Sequence, residues 1–282
     1  MTTSALHAVG REGRLRLAFA RSGGETRLVD NVSHPPLQVM RAIRDAAGCL
    51  CVYLLSPTGG VVQGDRYTLQ LAVGANAHAL FTTQSATKVY RMPDDCAEQW
   101  VRIDVEAGGV FEFVPDATIL FADADLRQRL DVRLQPGALA LIYEIVMPGR
   151  LARGESLQFR RYASRTIVRD DTGLILFESS ELRPATDDLS AIGRLEDYPC
   201  WGSAYLVGDL DSWGIDADAF CAAQLAGLQR PDALGAVSRL HRNGLVARIV
   251  SQRLESIYAA FEGLRAALRT QYLGLAHAPL RK

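Results

Sequence analysis

Residues 56–91 read SPTGGVVQGDRYTLQLAVGANAHALFTTQSATKVYR. A glycine-rich turn leads to Asp65. Two strand-like runs follow, 67–73 and 77–83, and a hydroxyl-rich segment ends in Lys88, Tyr90 and Arg91. The two runs meet at Val73-Gly74-Ala75-Asn76-Ala77, and this kind of junction returns twice further on. Ala107-Gly108-Gly109-Val110 joins 100–105 to 110–114, and Gln135-Pro136-Gly137-Ala138 joins 130–134 to 139–146. A turn recurring at roughly 30 residues is the scale on which stacked β units bury one another's faces. The fold class expected is therefore mainly β: layered antiparallel hairpins resembling a β-solenoid over 1–190, with a plain sandwich as the alternative.

Outward from this stretch the same grammar holds. Arg14-Leu15-Arg16-Leu17-Ala18-Phe19 alternates as a half-buried strand does, whereas 49–55 is continuously apolar, as a fully buried strand is. Asp171-Thr172-Gly173 marks a hairpin between 165–169 and 174–177. Residues 191–282 are expected to add strands and two helices packed on the same body. Residues 198–207 suit a strand pair, and 216–229 a helix that opens on Asp216 and stops before Pro231. His241-Arg242-Asn243-Gly244 signals a hairpin. In the last helix Leu254, Ile257, Tyr258, Phe261, Leu264, Leu268, Tyr272 and Leu275 form one apolar stripe, opposite Arg253, Glu255, Glu262, Arg265 and Arg269. Such a helix packs on its own sheet or docks a partner. Phe261 and Arg265 are the candidate partner contacts on it.

The 282 residues are 48% hydrophobic and carry a formal net charge of −1, enough for a large core and too balanced to favour nucleic acid or an anionic membrane. No apolar run reaches the ~18 residues of a spanning helix, and charges interrupt the N-terminus before a signal peptide can form. Five scattered cysteines suit reduced thiols, so a cytoplasmic protein is expected. The chain lacks a Walker A sequence, H-E-x-x-H, G-x-S-x-G and paired C-x-x-C, which removes the common routes to nucleotide hydrolysis, zinc proteolysis and serine esterase chemistry. Its five histidines are too far apart for a local metal motif, although distant residues converge in folds. Cys49-x-Cys51 places two thiols on one strand face, for core packing or for a soft metal.

Three carboxylates stand out. Asp65 follows the glycine turn, Glu144 lies inside Leu141-Ile142-Tyr143-Glu144-Ile145-Val146, and Glu178 ends Leu174-Ile175-Leu176-Phe177-Glu178. A carboxylate within an apolar strand faces either solvent or a polar interior path, because burial without a partner is costly. Asp65 also suits a turn residue that accepts from backbone amides. Glu155 sits near Arg150 and Arg153, which predicts an ion pair. Lys88, Tyr90 and Arg91 form either a polar binding patch or structural pairs with Asp94 or Asp95.

The blocks Ser56–Asp65 and Thr82-Thr83-Gln84-Ser85-Ala86-Thr87-Lys88-Val89-Tyr90-Arg91 resemble the urease accessory proteins UreD, called UreH in some bacteria. Phe113-Val114-Pro115-Asp116, Ile119-Leu120-Phe121 and Gly149-Arg150-Leu151-Ala152-Arg153-Gly154-Glu155 extend the resemblance over nearly the whole chain. It departs at Gln63, where the family commonly has glycine, and at the C-terminal Pro279-Leu280-Arg281-Lys282. The resemblance implies a non-enzymatic maturation factor, solenoid-like with C-terminal helices. It would bind UreF, which recruits the GTPase UreG, and the assembly would deliver Ni2+ into apo-urease. No cofactor would be tightly bound, and Ni2+ would pass transiently along a polar path whose matching positions are Asp65, Glu144 and Glu178, with hydroxyls such as Thr82 or Thr83. Lys88, Tyr90 and Arg91 are further candidate partner contacts. Two other readings compete: a β-rich hydrolase or lyase using converged carboxylates, and a metal-free scaffold.

Overall fold

A computed structural model describes residues 11–280. In chain order the strands are β1 (Glu12–Ser22), β2 (Glu25–His34), β3 (Gln38–Val39), β4 (Ile43–Arg44), β5 (Leu50–Leu55), β6 (Arg66–Val73), β7 (His78–Thr83), β8 (Thr87–Val89) and β9 (Ala97–Val105). There follow β10 (Val110–Phe113), β11 (Thr118–Leu120), β12 (Asp125–Leu134), β13 (Leu139–Met147), β14 (Arg161–Asp170), β15 (Gly173–Leu182) and β16 (Cys200–Gly208). Helix α1 (Ala217–Leu228), β17 (Ala233–Arg239), β18 (Gly244–Ser251) and α2 (Leu254–Gln271) complete the chain.

The strands form two sheets. One has the order β15-β14-β12-β9-β6-β1-β2; the main path of the other is β17-β18-β16-β13-β10-β7-β5-β3. Apolar side chains from the two inner faces make one core, including Phe19, Leu69, Val105, Phe111 and Ile142. The second sheet turns its other face to α1 and α2 across a further core of Leu80, Leu141, Phe220, Phe261 and Leu268. This layering explains the patterns along the chain. Strand β6, in the sheet that faces water, alternates buried and exposed along its length, whereas β10 in the covered sheet is buried at every position.

The mainly β, stacked and solenoid-like architecture is as expected, and the strand pairing is corrected. Strands on either side of the recurring turn are not hairpin partners, since β6 belongs to one sheet and β7 to the other. Each pairs in parallel with its equivalent in the next coil: Val73 lies opposite Val105 and that opposite Leu134, while His78 lies opposite Val110 and that opposite Leu139. The turns are arches between layers, stacked by Asn76 N–H donating to Ala107 O at 3.0 Å and Gly108 N–H to Pro136 O at 3.2 Å. Asn76, Gly108 and Gly137 hold the left-handed position of successive arches. Arch and hairpin both call for a residue that tolerates φ > 0, so the local turn chemistry does not separate them.

True hairpins occur where the stack ends. Strands β14 and β15 pair antiparallel around Asp171-Thr172, and β17 pairs with β18 around the Asn-Gly turn, both at the positions read from the sequence. Helix α1 opens as anticipated, with Asp216 Oδ1 accepting from the N–H groups of Asp218 and Ala219. The segment 198–207 forms the single strand β16 instead of a pair. Strands β16 and β18 extend the second sheet, and Tyr205, Val207 and Val246 enter the core between the sheets.

Candidate functional site

In a stack of parallel coils, residues at one register position line up across the sheet. Tyr67, Gln99, Gln128 and Ser164 occupy one such row across β6, β9, β12 and β14, and all point between the sheets. The next row holds Leu69, Val101, Leu130 and Thr166 and ends at Glu178 on β15. Glu144 on β13 and Tyr205 on β16 face these rows from the opposite sheet. A polar file thus crosses an otherwise apolar core.

Hydrogen bonds join its members in three groups. At one end the buried Asp65 accepts through Oδ2 from Val62 N–H at 2.8 Å and from the Tyr67 hydroxyl at 2.7 Å. It therefore also serves as the amide-accepting turn residue. Midway, Gln128 Nε2 donates to Gln99 Oε1 at 3.3 Å. The Tyr162 hydroxyl lies 2.8 Å from Gln128 Oε1 and 2.7 Å from Glu144 Oε1. At the other end Arg248 Nη2 donates to Glu178 Oε2 at 2.7 Å. A cavity of about 100 Å3 runs beside Tyr67, Gln99, Gln128, Glu144, Ser164 and Tyr205. Glu144 and Ser164 also line a wider pocket of about 770 Å3 that reaches Glu178 and Arg248. Glu144 therefore stands where the narrow and wide spaces meet.

Burial raises the pKa of Asp65 above the usual carboxylate range, against the pull of Val62 N–H and the Tyr67 hydroxyl. Burial likewise raises Glu144, and the charge of Glu178 adds to the effect, while Tyr162 and Ser164 oppose it. Burial and the Glu144 carboxylate push the Tyr162 phenol well above its ordinary value, so it is a donor. The Tyr205 hydroxyl is buried and has no hydrogen-bond partner among the described residues. The file is built from carboxylate, amide and hydroxyl oxygens. Such a set attracts a divalent cation, and it holds nickel more weakly than imidazole or thiolate would. Thr83 lines the small cavity and its Oγ1 accepts from Asp116 N–H. Thr82 lies on the opposite, helix-facing side of β7 and donates to Val114 O at 2.7 Å, so it is not part of the file.

The glycine turn that opens the TGGVVQGD segment is held by the segment that ends in Arg91. Val61 N–H donates to Lys88 O and Tyr90 N–H to Val61 O, at 2.8 and 2.9 Å. The Tyr90 hydroxyl donates to Gly59 O at 3.3 Å, and its ring packs edge-on against Phe121. At Gly60, φ is +156° and a Cβ would drive into Lys88 O and the Tyr90 ring. Lys88 and Arg91 are exposed, and Arg91 pairs with Asp123 at 3.2 Å, not with Asp94 or Asp95. Glu155 pairs with Arg150 as expected, and the guanidinium carbon lies 4.8 Å from the Phe121 ring centre.

Phe261 and Arg265, expected as partner contacts, are corrected: both side chains are buried within the chain. The apolar stripe of α2 packs on the chain's own sheet. The Phe261 ring centre lies 5.0 Å from that of Tyr143, and the Tyr143 hydroxyl donates to Phe261 O at 2.6 Å. Arg265 and Arg269, placed by periodicity on the polar face, turn inward to the buried Glu112 of β10. Arg265 Nη1 lies 3.3 Å from Glu112 Oε2, and Arg269 Nε lies 2.9 and 3.0 Å from the two oxygens. Burial alone would raise the Glu112 carboxyl; the hydrogen bond and charge of His78, with Arg269, outweigh it and hold the pKa at about 2.

Sequence reading missed Glu112 and the row Gln99, Gln128 and Ser164. A signal existed for each. Glu112 interrupts Val110-Phe111-Glu112-Phe113-Val114 as Glu144 interrupts its own strand, and aligning the repeats by their turns brings the polar row together.

A sequence model of the UreD urease accessory protein matches residues 11–282. The chain is 34% identical over 258 residues to a urease accessory protein UreD of Haloarcula marismortui, covering 91% of this chain and 85% of that protein. It is 32% identical over 283 residues to the one of Cenarchaeum symbiosum, covering 97% and 98%, and 34% identical over 279 residues to the one of Ralstonia nicotianae, covering 96% and 92%. With a match across the coils, the polar file and the terminal helix alike, the chain belongs to the UreD urease accessory protein family.

Proposed function

We propose that this chain is a non-catalytic urease maturation factor that binds UreF, joins UreG through it on apo-urease, and conducts Ni2+ along the file from Asp65 past Glu144 to Glu178. The observation that carries this reading is the file itself. Glu144 lines both cavities, Glu178 lines the wider one and Asp65 meets the narrow one through Tyr67, with hydroxyl and amide groups between them in an otherwise apolar core. Conduction needs sites that attract the ion and release it, and oxygen donors meet that need where a thiolate or imidazole cage would trap the metal. Nickel is the cargo. Asp65 and Glu178 would supply negative charge at the two ends, and Glu144 would supply it where the two cavities meet. Arg248 would neutralise Glu178 until the cation arrives. Maturation of this kind is expected in the cytoplasm; among the described residues no helix is long and apolar enough to cross a membrane.

The test is the triple variant Asp65→Ala, Glu144→Ala, Glu178→Ala, co-expressed with urease and the other accessory proteins. UreF co-purification should persist while nickel in urease and urease activity fall at least tenfold. Full nickel loading by the triple variant would leave the metal-free scaffold as the better account, and turnover of a substrate by the chain alone would favour the hydrolase or lyase.

A further inference from the structure

We propose that Cys49, His78 and Glu112 form a separate binding site for a borderline divalent cation, Zn2+ or Ni2+, on the face of the second sheet opposite the polar file. The three residues come from β10, from the start of β7 and from just before β5, strands that pair in parallel. Register puts Cys49 beside His78, and Cys51 and Leu80 in line with Glu112 one row on. One ligand atom from each of Cys49, His78 and Glu112 lies within 4.8 Å of the other two. His78 Nε2 is already 2.8 Å from Glu112 Oε1. A tetrahedral ion needs donors about 3–4 Å apart, given metal–ligand distances of about 2.0–2.3 Å. Small side-chain shifts therefore close the set, leaving a fourth position open. Cys49 and Glu112 are buried and His78 is partly exposed, which supplies a way in from solvent.

The two arginines over Glu112 do not forbid a cation. Glu112, Asp45 and Glu262 face Arg265 and Arg269, three carboxylates to two guanidiniums. With His78 bound as a neutral imidazole, a divalent ion arriving with a Cys49 thiolate adds one positive charge and balances the group. Asp45 also fixes the cysteine, since its Oδ1 accepts from Cys49 N–H at 2.9 Å while Oδ2 accepts from Arg269 Nη1 at 2.6 Å. The donor set of sulfur, nitrogen and oxygen suits Zn2+ or Ni2+ and contrasts with the oxygen-only file. An ion here would bind β5, β7 and β10 together under α2, a retained metal instead of a travelling one.

Titration of the reduced full-length chain with Co2+ tests the site, because a thiolate ligand gives a sulfur-to-cobalt charge-transfer absorption that oxygen ligands do not. The expected result is one equivalent bound with that absorption, unchanged in Cys221→Ser and in the Asp65, Glu144, Glu178 triple-alanine variant, and lost in Cys49→Ser. His78→Gln, at a partly exposed position, should weaken binding at least tenfold with the circular dichroism of the parent. Displacement of Co2+ by Zn2+ and by Ni2+ in separate titrations ranks the two ions. A wild-type chain without the thiolate absorption, or a folded Cys49→Ser chain that keeps it, would overturn the proposal. Neither outcome bears on conduction through the file, whose residues lie on the other face of the sheet.

Discussion

Glu144 is the residue on which the polar file turns, since it lines both the narrow and the wide cavity and accepts from Tyr162. Its pKa is raised by burial and by Glu178, so the carboxyl takes up a proton at a pH above that of an ordinary glutamate, about 4.3. As pH falls through that raised value the junction of the two cavities loses its charge. Nickel transfer by the wild type should therefore decline with acidification in that window, whereas Glu144→Gln should transfer poorly at every pH, as measured by nickel in urease loaded in vitro. Gly60 carries a different constraint. Its backbone conformation and the nearness of Lys88 O leave no room for a Cβ. Gly60→Ala should cost about 2–3 kcal/mol in urea unfolding through strain and overlap. Gly154, whose surroundings are open, should lose less on the same change. The glycines of the opening segment were legible as a turn, but the reason for the second one was not, because Lys88 and Tyr90 meet it only through the fold.

At the scale of the element, α2 shows how periodicity misleads when a charge is paired inside. Its apolar stripe placed the helix correctly, and the close fit of Ile257 and Phe261 over Gly202, where a Cβ would meet both at 3.0 Å, shows how near it sits to β16. Arg265 and Arg269 lie at the margin of that stripe, where one facing carboxylate decides whether a guanidinium turns in or out. Glu112 draws them in. Removing it leaves two buried guanidiniums short of a counter-charge, which typically costs 3–5 kcal/mol. Glu112→Ala in chelator-containing buffer should lose about that much stability in urea unfolding. Glu255→Ala, on an exposed pair with Arg253, should lose at most ~0.5 kcal/mol.

At the scale of the molecule, the two terminal hairpins are tied across the sheets by Asp170. Its carboxylate accepts from Arg242 Nη2 at 2.6 Å, from Asn243 Nδ2 at 3.0 Å and from Thr172. Burial would raise this group, but Thr172, Arg242 and Asn243 together hold it at about 2. A depressed carboxylate stabilises the fold above its unfolded pKa, about 3.9, and that stability is lost as pH falls from there to about 2. Asp170→Asn should be about 1–2 kcal/mol less stable than the parent at neutral pH, a figure reduced for partial exposure. The difference should shrink as pH falls through about 2 and be gone below it, as read by thermal unfolding across that range.

By itself the sequence determined that this chain stacks β units about 30 residues apart, carries turns at Asp171-Thr172-Gly173 and Asn243-Gly244 and ends in an amphipathic helix, because turn residues and apolar spacing act over short distances. It also singled out Asp65, Glu144 and Glu178 as carboxylates at a turn or in apolar strands, leaving open whether each faces solvent or the interior. Only the tertiary structure decided that the stacked strands run parallel in two sheets, because hairpin and arch use the same turn chemistry and differ in the partner found one coil away. The same step placed Gln99, Gln128 and Ser164 in one row, brought Cys49 and His78 to Glu112, and buried Arg265. Each of these depends on a counterpart far away in the chain, and the sign of a buried polar group's energy is set by that counterpart.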